Sequence, residues 1–373
     1  MKIGILKEPG NENRVAILPD NVKTLFNLKT KIAVEKGAGE RSFSSDQNYI
    51  DNGAEILDRD KVLNNSDLII SIHPLTPDEY NKLKVGQSVL TAYNPLFNKE
   101  LVQYFIDKNI TTFSIDMVPR TTRAQSMDIL SSMATVAGYK AVLVAANHLS
   151  SFFPMLMTAA GTIRPSKVLV LGAGAAGLQA IATSRKLGAI VEAFDVRSAV
   201  KEEVQSLGAK FIEVEGANDD KNAGGYAVEQ TEEYKQKQQK LIQDHAKKAN
   251  VVITTAQIPG RKAPILITKD TVENMLPGSV IIDLASSTGG NCELTKDNQM
   301  IEINHVRIIG NSNLSSEIPA DASKMYGNNI INFLKLIIDD SGNLKLDFND
   351  EIVRGTCITH NKEIINERVK SNN

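Results

Sequence analysis

The sequence is poor in several residue types, and each shortage excludes a class of protein. It has no tryptophan and only two cysteines among 373 residues. Cys292 and Cys357 are too far apart for a metal-binding spacing, and two cysteines make no disulfide framework, so we expect a reducing, cytoplasmic setting and no metal. Lysine and arginine total 42 against 44 acidic residues. A chain without a basic excess is not expected to bind nucleic acid.

Long apolar stretches are also missing. No run of about 18 apolar residues is present, so we expect no segment that spans a bilayer. The N-terminal stretch MKIGILKEPG breaks at Lys7, which indicates a first strand and not a signal peptide. With 42% hydrophobic and 23% charged residues, the chain has the composition of a globular protein. Its length predicts two domains or one large one.

Short β-branched runs alternate with amphipathic stretches, a pattern that predicts parallel sheets covered by helices on both faces. The first series of predicted strands covers 2–6, 31–35, 67–72, 88–92 and 110–116. The second series covers 167–172, 189–195, 210–215, 250–255, 278–285 and 306–311. Strand-like stretches at 344–348 and 356–360 follow the second series. We infer that this tail returns to the first domain.

One long helical pattern joins the two series of strands, and a second follows the last strand of the second series. One begins near Met127, with Ser126 as its expected N-cap, and the other covers 323–340. We therefore expect two Rossmann-like, doubly wound parallel-sheet domains that two long helices join, with a cleft between them. The predicted first domain consists of 1–126 and 330–373. The predicted nucleotide-binding domain is 127–329, including a mobile loop at 216–238.

One motif carries most of the functional information. Residues 167–195 form a complete βαβ pattern in which Gly172, Gly174 and Gly177 make G-x-G-x-x-G between a strand and a helix. These glycines allow a tight turn, an approach of pyrophosphate to the backbone and close packing of helix on strand. Asp195 follows at about the 20-residue offset expected for an acid that binds the adenosine ribose. Together these features predict a dinucleotide site.

Two further features refine this prediction. A carboxylate at Asp195 disfavours a 2′-phosphate and favours NAD over NADP. Arg197 could meet such a phosphate or stack on adenine, and we favour stacking. The polar segment 222–241 interrupts the nucleotide domain and contains Gly224, Gly225 and Tyr226. An insertion of this length is either an exposed loop or a lid over the ligand.

The stretch PRTTRAQSMDILSS (119–132) concentrates Arg120, Arg123, Gln125 and Asp128. Guanidinium, amide and carboxylate groups suit a nicotinamide ring. The stretch has no histidine or lysine to exchange a substrate proton. This composition favours hydride transfer between two nicotinamides, in which no proton moves at the reacting carbons.

The sequence closely resembles the NAD(H)-binding component of proton-translocating NAD(P) transhydrogenases, within the alanine dehydrogenase/transhydrogenase family. The resemblance covers essentially the whole chain and rests above all on RAQSMD (123–128) and AGGYA (223–227), with KEPGNENRVAILPD (7–20) and TTAQIPGRKAPILIT (254–268) beside them. It implies direct hydride transfer from NADH on this chain to NADP on a partner subunit. That transfer would be coupled to proton translocation by a Si-specific enzyme.

The resemblance also implies roles for individual residues. The nicotinamide and its ribose would lie against Arg120, Gln125, Asp128 and Ser131. The glycine turn would meet the pyrophosphate through Ala173, Gly174 and Ala175. The adenosine end would contact Asp195, Val196 and Arg197. A closing loop would contribute Gly225, Tyr226 and Gln238. Gln257 stands at a position that is usually apolar in the family, so its backbone is the expected contact.

Alanine dehydrogenase is the alternative within this family, and Arg14 is common to both groups. Its members carry a lysine after the third strand and a histidine after the fourth, whereas 70–75 and 91–96 here contain no lysine. His73 lies near the lysine position and Asn94 near the histidine position. An NAD sensor is a third possibility, but such a sensor would need only the adenosine-binding half.

The resemblance implies partners that this chain does not contain. It predicts a homodimer that assembles with a membrane-spanning subunit and an NADP(H)-binding subunit, and that is active only with them. The chain would then be peripheral, on the cytoplasmic face of the inner membrane.

Overall fold

The computed structural model describes residues 1–214, 231–258 and 261–372. Within these ranges the strands are β1 Lys2–Ile5, β2 Lys31–Glu35, β3 Glu55–Leu57, β4 Leu68–Ile70, β5 Ser88–Thr91, β6 Thr111–Ser114, β7 Leu156–Thr158, β8 Gly161–Ile163, β9 Lys167–Leu171, β10 Ile190–Phe194, β11 Lys210–Phe211, β12 Val251–Thr254, β13 Val280–Asp283, β14 Gln299–Ile303, β15 Val306–Gly310, β16 Cys357–His360 and β17 Glu363–Ile364. Most of the predicted strands are present, shorter by one or two residues at their ends.

Helices alternate with these strands along the chain. They are α1 Pro19–Asn27, α2 Asp46–Asp51, α3 Arg59–Asn65, α4 Pro77–Asn81, α5 Lys99–Asp107, α6 Ile129–His148, α7 Ala175–Lys186, α8 Lys201–Ser206, α9 Glu232–Ala246, α10 Lys269–Glu273, α11 Pro319–Ile337, α12 Glu351–Thr356 and α13 Glu367–Lys370. The alternation gives an α/β protein of Rossmann-like sheets.

The chain divides into two compact units. The first comprises Met1–Met133 and Ser316–Asn373, and the second Ala134–Ser315. The boundaries differ from those predicted at 126/127 and 329/330. The first boundary lies inside α6. The second lies within the 3-10 helix Leu314–Glu317 and precedes α11, so α11 belongs wholly to the first unit.

The first unit is built on an eight-stranded sheet in the order β17-β16-β6-β5-β4-β1-β2-β3. Strands β1 to β6 pair in parallel. The C-terminal tail does return to this sheet, since β16 pairs with β6, but it does so antiparallel. The order reverses between β1 and β4, and in open α/β sheets the crevice beyond such strand ends is the usual ligand site.

The second unit has a seven-stranded sheet in the order β11-β10-β9-β12-β13-β15-β14. All of its pairings are parallel except that of β14 with β15. Strand β9, which carries the glycine motif at its C-terminal end, lies between β10 and β12. The motif therefore occupies the point where the strand order reverses, as dinucleotide sites of this fold require.

The sequence-based prediction of strands needs correction, because one predicted strand is absent and several strands were not predicted. Residues 344–348 form no strand, and Leu344 makes only an isolated bridge to Ile338. The hairpin of β7 and β8 was not predicted, because its exposed residues lack a buried alternating face. Strands β3, β14 and β17 were also missed. They lie at sheet edges, where short strands carry little hydrophobic pattern.

Helix α6 differs from the expectation in two respects. Its N-cap is Asp128 and not Ser126, because Asp128 precedes the first helical residue and its Oδ1 accepts the N–H of Ser131 at 3.0 Å. Among the described residues it is also the one helix long and apolar enough to cross a bilayer, with a mean hydropathy of 1.5. This criterion uses length and mean composition, and α6 meets it although the helix contains no unbroken run of about 18 apolar residues.

The buried face of α6 accounts for this apolar composition. Ala141, Val142 and Ala145 are fully buried in the core of the second unit. A core helix passes the same test of length and composition as a membrane span. Serine, threonine and glycine interrupt the apolar residues of α6, which is why a search for an unbroken run overlooked it.

The glycine turn allows a test of packing by one methyl group. A Cβ on Gly177 would lie 1.8 Å from the carbonyl oxygen of Gly172, whereas a Cβ on Gly174 would meet no atom within 4 Å. We expect Gly177→Ala to lower the free energy of unfolding by about 2–3 kcal/mol, because backbone must move to admit the methyl group. Urea unfolding measures this change.

Gly174→Ala is the matched control for that experiment. It makes the same chemical change three residues away, at an ordinary backbone conformation of φ −80°, and should leave the free energy of unfolding nearly unchanged. Equal destabilisation by both variants would contradict the packing argument.

Candidate nucleotide-binding site

The turn from β9 into α7 has a defined geometry. Gly172 has φ +100°, a left-handed conformation that disfavours residues with a side chain. Gly177 packs against the backbone of that turn, and Gly174 is the N-cap of α7 with open space beside it. The first N–H groups of an α-helix have no partner within the helix. The turn can therefore receive an anion such as a pyrophosphate.

Asp195 lies at the end of the neighbouring strand β10 and is bound to this turn. Its Oδ2 accepts the N–H of Ala173 at 2.7 Å. The guanidinium of Arg197 makes a bidentate ion pair with the same carboxylate, called here the Arg197 fork. Its Nε donates to Oδ1 at 2.9 Å and its Nη2 to Oδ2 at 2.8 Å. The hydrogen bond to Asp195 raises the pKa of Arg197. The predicted ribose acid thus lies beside the glycine turn with Arg197 as its ion-pair partner.

The remaining residues that were predicted to contact the adenosine end, or to lie on the closing loop, fall in different parts of the second unit or outside the described residues. Val196 packs against the core of the second unit. Gly225 and Tyr226 lie outside the described residues. The predicted mobile loop 216–238 extends too far, because α9 begins at Glu232, where the Thr231 side chain accepts the N–H of Tyr234 at 3.2 Å. Gln238 is therefore a half-buried helical residue.

The segment after β12 is fixed by side chains that the sequence did not reveal. Asn291 donates to the carbonyls of Ala256 and Pro264 at 2.9 and 2.8 Å and accepts the N–H of Ala256 at 3.0 Å. The Gln257 side chain donates to the carbonyl of Leu284 at 3.0 Å. The Gln257 amide thus holds this segment to the end of β13.

The other predicted cluster lies in the first unit, at the start of α6. The two carboxylate oxygens of Asp128 accept the N–H and the hydroxyl of Ser131, at 3.0 and 2.6 Å. Asp128 is half-buried, while Arg120, Gln125 and Ser131 are exposed. The structure thus brings Asp128 and Ser131 together at one helix N-terminus and leaves polar groups of this segment accessible.

Arg123 belongs to a different contact. Its guanidinium makes a two-bond ion pair with Asp350, at 2.7 and 2.6 Å, and Asp350 in turn caps α12. Two asparagines of α11 are bonded to the same segment. The side chains of Asn329 and Asn332 donate hydrogen bonds to the carbonyl of Ser126 at 2.8 and 3.2 Å. A polar residue on the buried face of an otherwise apolar helix pattern was the signal that could have identified Asn329.

A third cluster surrounds His73 at the ends of β1 and β4. Glu12 accepts a fork from Arg14 at 2.8 and 2.6 Å and lies 2.9 Å from His73 Nε2. Burial raises the pKa of Glu12, but the hydrogen bonds from Arg14 and His73 outweigh it and hold that pKa well below its ordinary value. The buried Glu12 carboxylate is thus the partner of both Arg14 and His73. His73 also borders a cavity of about 220 Å³.

Comparison with known proteins identifies the family. Residues 4–137 match the N-terminal domain of alanine dehydrogenase/PNT, and residues 141–367 match its C-terminal domain. The chain belongs to the alanine dehydrogenase/PNT family.

Within this family the transhydrogenase subunits are the more similar relatives. The chain is 44% identical to the first part of the NAD(P) transhydrogenase alpha subunit of Rickettsia prowazekii, over 98% of this chain and 96% of the relative. It is likewise 44% identical to the Rhodospirillum rubrum subunit of the same name, over 98% of both chains. Alanine dehydrogenase of Mycolicibacterium smegmatis is 26% identical over 99% of this chain and 96% of the relative. The transhydrogenase interpretation is therefore favoured.

Solved structures agree with the fold. A transhydrogenase from Sinorhizobium meliloti superposes with a TM-score of 0.86 at 38% identity, over 99% of this chain and 100% of the other. An L-alanine dehydrogenase superposes with a TM-score of 0.82 at 22% identity, over 100% of this chain and 99% of the other.

Membership of this family implies binding of a nicotinamide nucleotide. In the part of the chain that the structure describes, no group of three or more His, Cys, Asp or Glu side chains could hold a metal ion.

The buried acid Glu8 gives a prediction about pH. Its carboxylate accepts the N–H groups of Ile72 and His73 at 2.6 and 3.0 Å, and burial raises its pKa from 4.5 to about 7. The folded state then binds the proton more tightly than the unfolded state does. Stability should therefore fall by about 3 kcal/mol as the pH rises from about 4.5 to 7, and then level off.

The measurement is urea unfolding at several pH values, with Glu8→Gln compared with the parent chain. Glu8→Gln should remove this part of the slope, whatever constant offset the amide introduces. Glu55→Gln at an exposed position is the control and should retain the parent slope. An unchanged slope in Glu8→Gln would contradict the assignment.

Proposed function

We propose that this chain is the NAD(H)-binding component of a proton-translocating transhydrogenase. The observation that carries the proposal is the match, along nearly the full length of both chains, to relatives named as the first part of a transhydrogenase alpha subunit. On this proposal NADH bound here supplies a hydride to NADP on a partner subunit. The partner subunits couple that transfer to proton movement across the membrane.

The described residues suit a dinucleotide. Gly174 has open space where a side chain would otherwise stand, at the N-terminus of a twelve-residue helix. Gly172, Gly177, Ala173 and Ala175 complete the turn that would hold the pyrophosphate. Asp195, with Val196 and Arg197, would hold the adenosine end, and Gln238 and Gln257 are proposed contacts beside them. The combination of a helix N-terminus and a strand-end acid supports NAD as the bound nucleotide.

The residues proposed to contact nicotinamide act by position. Arg120 and Gln125 offer hydrogen-bond donors, and Asp128 and Ser131 are already ordered by their mutual hydrogen bonds. Residues 119–132 contain no histidine or lysine, the residues that usually exchange the substrate proton when a carbon substrate is dehydrogenated. Fixing two reactants in a near-attack geometry is by itself a large source of rate, because it removes the entropic cost of bringing them together.

Alanine dehydrogenase activity receives less support. A keto acid would need a free cation near Arg14 and His73, whereas Glu12 already accepts hydrogen bonds from Arg14 and lies within hydrogen-bonding distance of His73. The 26% identity to alanine dehydrogenases is also well below the 44% identity to transhydrogenase subunits. The network around Glu12 is better explained as a buried structural ion pair.

The proposal includes an assembly. The relatives are named as a portion of an alpha subunit, which implies further subunits. We infer a homodimer that works with a membrane-spanning subunit and an NADP(H)-binding subunit, on the cytoplasmic face of the inner membrane. The enzyme would be of the Si-specific, proton-translocating type and would have no activity without its partners.

A reconstitution assay tests this function. The chain is mixed with a separately purified NADP(H)-binding transhydrogenase domain, and hydride transfer from NADPH to an NAD analogue is followed. Activity only in the mixture supports the proposal. Oxidation of NADH by pyruvate and ammonium in the absence of a partner would instead establish an alanine dehydrogenase.

Substitution of the nicotinamide-side residues tests the positioning role. Asp128→Asn should lower the hydride-transfer rate in the mixture by about 10- to 100-fold, because the ordering of the segment changes while most of the nucleotide contacts remain. NADH affinity should change by less than about threefold. Gln125→Asn should behave similarly. Arg123→Lys is the control, because the Arg123 side chain is paired with Asp350 and is not a proposed nicotinamide contact. Parallel losses of rate and affinity would contradict a positioning role.

Gly174→Ala tests the pyrophosphate contact separately. The variant should unfold like the parent chain, yet bind NADH at least about tenfold more weakly, since the added methyl group occupies the space that a phosphate requires. Calorimetry with NADH measures the affinity. Parent-like affinity would place the nucleotide elsewhere.

A further inference from the structure

The carboxylate of Asp195 is saturated with hydrogen bonds. Its Oδ1 accepts the N–H and the Nε–H of Arg197, both at 2.9 Å. Its Oδ2 accepts the N–H of Ala173 at 2.7 Å and Nη2 of Arg197 at 2.8 Å. A carboxylate offers about four acceptor positions, and these contacts use all of them. Only 7% of the Asp195 side chain is exposed.

Ribose hydroxyls need acceptor positions on the same carboxylate. Two of its four hydrogen bonds come from backbone N–H groups, which belong to the turn and to the chain after β10. The other two come from the Arg197 side chain, which is 27% exposed. The Arg197 fork is therefore the part of this arrangement that can leave without movement of the backbone.

We propose that Arg197 is a selectivity residue that exchanges partners, leaving Asp195 when the ribose hydroxyls of NADH take its place. This inference rests on the proposed function, because it takes Asp195 as the ribose acid. Two hydrogen bonds are lost and two are gained. The number of hydrogen bonds to Asp195 is therefore unchanged, and the released guanidinium remains near the adenosine end.

The exchange has a consequence for discrimination against NADPH. A carboxylate alone repels a 2′-phosphate, but a guanidinium released beside it can pair with that phosphate through two charge-assisted hydrogen bonds. Arg197 therefore weakens the selectivity that Asp195 provides. Stacking of the guanidinium on adenine would affect both nucleotides equally, and so it cancels when their affinities are compared.

Calorimetry of the full chain with NADH and with NADPH tests the selectivity. Arg197→Ala should raise the ratio of NADH affinity to NADPH affinity about tenfold, because only NADPH loses an ion pair to its 2′-phosphate. Arg197→Lys keeps the charge and should restore most of the NADPH affinity. Lys201→Ala, which removes an exposed lysine paired with Glu213, is the control and should leave the preference unchanged. Equal weakening of both nucleotides by Arg197→Ala would overturn the proposal.

Side-chain NMR tests the exchange of partners directly. Spectra of the parent chain and of the Arg197→Lys variant are recorded with ¹⁵N-labelled arginine. The Nε signal that is missing from the spectrum of the variant is assigned to Arg197. Saturating NADH should move that signal as the fork leaves Asp195. NADH that binds without moving it would overturn the exchange while leaving the proposed function intact. Failure of NADH to bind at all would instead reject the nucleotide site itself.

Discussion

The second unit depends on one close contact between two parts of its backbone. The carbonyl oxygen of Gly172 occupies the place where a side chain at position 177 would begin. This contact fixes where α7 starts relative to β9. The free N–H groups of the helix and the N–H of Ala173, which Asp195 binds, are positioned by the same turn. The proposed phosphate and ribose contacts thus both depend on the absence of a side chain at Gly177.

In the first unit, the segment proposed to contact nicotinamide is ordered by different means. Residues 122–127 form a short 3-10 helix, an element too short to be stable alone. Asn329 and Asn332 hold its end through the carbonyl of Ser126, and Asp128 begins α6 immediately afterwards. Side chains of α11 therefore help to determine where the exposed polar groups of this segment lie. This is the usual requirement when catalysis relies on position.

Sequence reasoning predicted the features whose signals are local. The βαβ unit, its glycine turn and the strand-end acid all lie within 167–195, and each has its own spacing rule. Features that depend on distant residues were missed. Nothing near Asn291 in the sequence indicates that it binds Ala256, and the antiparallel pairing of β16 depends on contacts some 240 residues away in the chain.

The errors at helix ends have a similar origin. Ser126 and Asp128 are both good N-cap residues, and the choice of Asp128 depends on the support that α11 gives to the preceding turn. The start of α9 at Glu232 shows the same limit, since Thr231 is a capping residue within a polar stretch that has little apolar periodicity. Arg123 was grouped with its neighbours because proximity in sequence does not reveal its partner Asp350.

The most direct test of the account is a crystal structure of this chain with NADH. The account predicts that one NADH molecule contacts the glycine turn with its pyrophosphate, Asp195 with its adenosine ribose, and Gln125 and Asp128 with its nicotinamide end. A nucleotide bound to the glycine turn whose nicotinamide touches none of Arg120, Gln125, Asp128 and Ser131 would contradict the central claim, which is that the cluster at the start of α6 positions the hydride donor.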